Sequence, residues 1–90
     1  MNNLEIMAEV ETNGAVLFRP RKDPHEKGQE WQYDVKPLST GRKKSWMIVD
    51  SFTVSAMRAV YNVLSGEDQA TWNTKPFSRL VSFCWKHTRL

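Results

Sequence analysis

Apolar and polar residues alternate along the first half of the chain. Leu4, Ile6, Ala8 and Val10 are interleaved with Glu5, Met7, Glu9 and Glu11, the period-2 pattern of a strand with one buried face. Asn13 and Gly14 follow, a pair that accepts the positive φ of a type I′ turn and so predicts a hairpin. Val16 and Phe18 share a face of a returning strand over 15–19, which Pro20, lacking an N–H, should end. Trp31, Tyr33 and Val35 alternate with Gln32, Asp34 and Lys36 in a third strand that Pro37 ends. The short apolar run 46–49 predicts a fourth. Every connection is too short for a parallel crossover that carries a helix, so the simplest pairing is an antiparallel meander.

The period changes in the second half. Val54, Met57, Val60, Tyr61 and Leu64 form a stripe of period near 3.6. Ser51 or Thr53 can cap the start of this helix, and Gly66 suits a left-handed position after its end. Ser65 and Asp68 have the spacing of a capping box for a short helix over 67–72. Thr74 can cap a last helix, with Pro76 in its first turn. Phe77, Leu80, Val81, Cys84 and Trp85 form that helix's buried stripe, widened by Phe83, and the helix should end near His87.

Together these elements predict an α+β fold. An antiparallel sheet of three to four strands fills the N-terminal half, and two to three helices from the C-terminal half pack on it in two layers. Residues 1–90 read as a single domain, with a β-meander over 1–50 and a helical layer over 51–90. A chain of 90 residues buries a modest fraction of its surface, but four tryptophans, four phenylalanines and two tyrosines supply large side chains for a core.

Charge is unevenly distributed about a net +3. Residues 1–18 carry −3, residues 19–44 carry +4 and residues 45–90 carry +2. The middle third, with two loops over 20–30 and 38–44, is therefore the part that attracts polyanions. No apolar run is long enough for a membrane span, the acidic first 15 residues do not read as a signal peptide, and one cysteine predicts no intrachain disulfide. A cytoplasmic location is the expectation.

Candidate chemistry is sparse. Cys84 and His87 lie three apart on the last helix, the spacing of a thiolate–imidazole pair. The stronger reading makes Cys84 a buried core residue and His87 a last-turn cation. His25, alone in a charged loop, lacks companions for zinc. Gly28 and Gly41 are isolated and belong to no phosphate-binding loop. No cofactor and no metal site are expected, and the chain reads as a non-enzymatic protein.

The remaining candidate is the strip of bases and aromatics over 19–46. Trp31 and Tyr33 share a strand face between the two basic loops, as base-stacking platforms do. The polar opposite face favours placing them in the core instead. Arg19, Arg21, Lys22, Lys27, Arg42, Lys43 and Lys44 are the expected binding cations, and Trp72 joins them as an anchor on the condition that it is exposed. The chain is similar in size and style to short accessory proteins of bacteriophages and mobile elements. That similarity implies a binder that inhibits a host system; the two basic loops, 20–30 and 39–44, are its expected surface, and their charge implies a partner protein or complex with an acidic surface. The alternative is a nucleic-acid-binding protein that grips phosphates through residues 19–44.

Overall fold

The computed structural model describes residues 1–21, 29–41 and 44–88. The order is helix α1 (Asn3–Asn13), strand β1 (Val16–Pro20), strand β2 (Tyr33–Pro37), a 3-10 turn (Leu38–Thr40), strand β3 (Met47–Val49), helix α2 (Ser51–Val63), short helix α3 (Gly66–Ala70), a second 3-10 turn (Trp72–Thr74) and helix α4 (Phe77–Thr88). The α+β class, the antiparallel sheet and the mainly C-terminal helical layer agree with the expectation.

The first segment is a helix and not the expected strand. Its buried residues are Asn3, Ile6, Met7 and Val10, spaced i, i+3, i+4 and i+7. The segment is rich in Leu, Met, Ala and Glu, which lose little on entering a helix. A capping box starts it. The Asn2 side chain accepts the Glu5 N–H at 2.9 Å, and the Glu5 carboxylate accepts the Asn2 N–H at 2.9 Å. Gly14 ends the helix at φ +87°, donating its N–H to Val10 O at 2.8 Å. Asn13 and Gly14 therefore terminate a helix and do not turn a hairpin.

The sheet is not a meander either. Its order is β2-β1-β3, with β1 central and antiparallel to both neighbours. β2 and β3 are thus parallel to each other across β1, joined by a crossover that begins with the 3-10 turn Leu38–Thr40. Register pairs Phe18 with Val35 and Met47, and Leu17 with Lys36 and Ile48. Since neighbours across a sheet share a face, Val16, Phe18, Tyr33, Val35, Met47 and Val49 point one way. Leu17, Arg19, Asp34, Lys36 and Ile48 point the other.

The first face carries the core, with Ile6, Met7, Val10, Val54, Met57, Val60, Trp72, Phe77, Leu80 and Cys84 packed against it. Phe18, Tyr33 and Phe77 meet edge to face, with centroids 4.9–6.2 Å apart, a favoured aromatic geometry. The Tyr33 hydroxyl accepts the Phe77 N–H at 2.7 Å, satisfying a first-turn donor of α4 that has no partner within the helix. Thr74, expected to cap α4, instead donates its hydroxyl to Thr71 O.

The cap of α2 is Asp50, whose carboxylate accepts the Thr53 N–H at 2.8 Å. Ser51 and Thr53 both lie inside the helix. Gly66 opens α3 instead of closing α2, and Ser65 accepts from Asp68 N at 3.2 Å as expected. On α4, Phe77, Leu80 and Cys84 are buried, but Phe83 and Trp85 are exposed. Trp85 packs instead on exposed Phe52, with ring centroids 5.4 Å apart. Among the described residues no helix is long and apolar enough to cross a membrane.

Candidate functional site on the outer sheet face

Strand alternation places Arg19 and Lys36 on the face turned away from the helices. Trp46 arrives there two residues before Ile48, hence with the same parity. Its indole ring lies 4.5 Å from the Arg19 guanidinium carbon and 4.3 Å from Lys36 Nζ. A cation over an indole face is attracted by the ring quadrupole, by about 0.5–1 kcal/mol at an exposed site. In the same row as Lys36, Leu17 is fully buried and is not a member of the main core cluster. Beside it Ile48 is exposed. The outer face therefore has one row of Lys36, Leu17 and Ile48, and Arg19 pairs with Asp34 in the next.

Asp34 is the counter-charge. Its carboxylate lies 3.5 Å from Arg19 Nε and 3.4 Å from Arg21 Nε. The three side chains are 39–50% exposed, where such pairs contribute little stability. Their effect is positional. One carboxylate holds two guanidiniums side by side and leaves the patch net positive, with exposed Lys44 nearby in sequence.

Of the residues expected to bind, Arg19 and Arg21 converge on Asp34, and Lys44 is exposed. Lys22, Lys27, Arg42 and Lys43 lie outside the described residues, as do His25 and Gly28. Trp72 is 2% exposed, so the condition that would make it an anchor is not met. Its ring packs edge to face on Tyr61, and the backbone carbonyl of Trp72 accepts from Asn3 Nδ2. Tyr33 is buried and Trp31 partly so, with the two rings stacked 6.3 Å apart, which is the core placement that the polar opposite face favoured.

Two members of the patch were missed as site residues, Lys36 and Trp46. The signal that finds them is parity. Once 15–19 and 31–37 are read as paired strands with Phe18 and Tyr33 inward, Arg19 and Lys36 must share the outer face. The even-numbered Trp46 and Ile48 follow from Val49 inward.

The thiol–imidazole candidate does not assemble into reactive chemistry. Cys84 is buried, and burial pushes its thiol up to about 11, the opposite of an activated nucleophile. The His87 ring rests on Phe83, 4.1 Å between centroids, with Nδ1 2.9 Å from Phe83 O. Among the described residues no three His, Cys, Asp or Glu side chains cluster as metal ligands. No protein-family model, curated protein or solved structure matches the chain.

Proposed function

We propose that this is a small non-enzymatic binding protein that docks an acidic surface of a partner protein against its outer sheet face. The observation that carries the reading is the double cover of Trp46 by Arg19 and Lys36. A stacking platform for a nucleic-acid base needs an accessible aromatic face, and two cations already lie over this one. A carboxylate needs N–H donors: the stacked Arg19 guanidinium keeps its N–H groups other than that of Nε, which Asp34 takes, directed outward, and the Lys36 ammonium carries three. Exposed Ile48 adds apolar contact beside them. Tryptophan and arginine are the residues that most often dominate the energy of protein interfaces. Inhibition of a host complex by a phage-borne or mobile-element protein in the cytoplasm is the role we attach to this surface; its support is the small size and basic character of the chain.

Two titrations by fluorescence anisotropy test the reading, one with a labelled poly-glutamate peptide and one with a single-stranded oligonucleotide, each at low and moderate salt. The peptide should bind more tightly. The double charge reversal Arg19→Glu with Lys36→Glu should weaken it about tenfold or more while leaving the thermal midpoint within a few degrees. Tighter oligonucleotide binding with a steep salt slope would overturn the proposal in favour of the nucleic-acid reading.

A further inference from the structure

We infer that the trough between the C-terminal end of α2 and α4 is a second binding site, for a linear amphipathic monocarboxylate. The trough has two lobes. The first encloses about 300 Å³ and is walled by Leu64, Trp72, Leu80 and Phe83, with Lys75, Arg79 and Asp68 at its rim. The second encloses about 360 Å³ and continues past the same Leu64 and Phe83 to Val63 and His87. Each volume is at the lower end of the range for small-molecule sites. Val63 is 83% exposed and Phe83 41%, so apolar surface stands open to water along the trough and gains by being covered.

The charges choose the occupant. The cations of the first lobe, Lys75 and Arg79, are exposed, and neither forms an ion pair among the described residues. They outnumber Asp68, the one acid at that rim among the described residues. Among the described residues the second lobe has no carboxylate and His87 as its polar wall. A ligand with one anionic end and a narrow apolar body matches this polarity: its head lies at Lys75 and Arg79, and its tail passes the Leu64–Phe83 ridge toward Val63. Trp72 walls the first lobe. Trp72 Nε1 is buried with no hydrogen-bond partner, and the Tyr61 ring packed against the indole offers at most a π face. An unpaired buried donor is costly, and because Trp72 walls the first lobe its indole signal reports on occupation of that lobe.

The experiment is a titration of uniformly ¹⁵N-labelled protein with sodium decanoate below its micelle concentration, followed through the four tryptophan indole signals. Decanol, with the same tail and no charge, is the control. The Trp72 indole signal should move saturably with decanoate, with half-saturation at roughly millimolar concentration or below. Decanol should bind about tenfold more weakly. The double reversal Lys75→Glu with Arg79→Glu, at exposed positions and checked by thermal melting, should weaken decanoate about tenfold or more and leave decanol nearly unchanged. An unmoved Trp72 signal, equal affinity for the alcohol and the acid, or an unaffected charge-reversal variant would each overturn the inference. None of these outcomes touches the sheet-face proposal, which uses neither Lys75 nor Arg79.

Discussion

Asn3 is the one polar side chain that is fully buried among the described residues. Its amide gives both protons away, to Trp72 O at 2.9 Å and to Lys75 O at 2.7 Å. Those carbonyls belong to the turn before α4, where Trp72 O otherwise accepts only a long bond from Lys75 N at 3.5 Å. Asn3→Ala should therefore cost about 1–3 kcal/mol. Asn3→Asp should cost more, since it removes both donors and turns acceptor oxygens toward two carbonyls. Urea unfolding of the two variants checks the order, and a negligible loss in Asn3→Ala would show that the amide donors contribute nothing. No sequence signal points to this residue. An asparagine beside a leucine at the chain start is ordinary, and its partners are 69 and 72 positions away.

Helix α1 shows why a period is ambiguous over a short span. Ile6 and Val10 are both two steps of an alternation and one turn of a helix, so the eight residues 4–11 fit either template. The discriminating signs were the helix-forming composition and Asn2 three residues before Glu5, the spacing of the capping box that the structure forms. For α2 and α4, stripes of three turns left no such ambiguity. Once α1 is helical its Glu11 faces Arg58 on α2 in a two-point ion pair, at 2.8 and 3.1 Å. The pair is partly exposed, so it is worth about 0.5–1 kcal/mol. The hydrogen bond from Arg58 holds the Glu11 carboxyl below its usual value. A lowered folded pKa stabilises above the unfolded value near 4.5, and this contribution is lost as pH falls through the folded pKa. Arg58→Ala should lower stability at pH 7 by that amount and converge on the parent in acid. A constant difference between the two melting curves across pH 2–7 would contradict it.

At the scale of the whole molecule, stability should fall on the alkaline side. Burial raises the pKa of both Tyr33 and Cys84, the latter to about 11 from 9.0. A raised folded pKa contributes fully below the unfolded value and is lost as pH rises through the folded one. For Cys84 that window runs from about pH 9 to 11, with a loss on the order of 2 kcal/mol. Cys84→Ala should be less stable at pH 7 because of the cavity it leaves, yet lose less between pH 9 and 11 than the parent. Parallel alkaline limbs in urea melts would refute this.

The α+β class and the inward placement of Tyr33 were legible from alternation and from the split between halves. The strand order was not. A crossover of β2 over β1 to β3 leaves no mark in local periodicity, because it depends on which edge of β1 the late strand reaches. For the same reason the site was half legible: the basic segment stood out, but Lys36 and Trp46 join it only through the register.

The placement of α1 against the turn at 72–75 also bears on the order of folding. α1 can form its capped turns as soon as its own residues are available, since the box is local. Its amide partners lie about seventy positions further along the chain, and the entropy of closing a loop rises with its length, by about 0.6 kcal/mol for each doubling. Contacts of such separation are gained late and slow the search. The segment around residue 75 therefore acts as the closing clasp of this domain: until it arrives, α1, β1 and β2 have partners for one another but no shared lid.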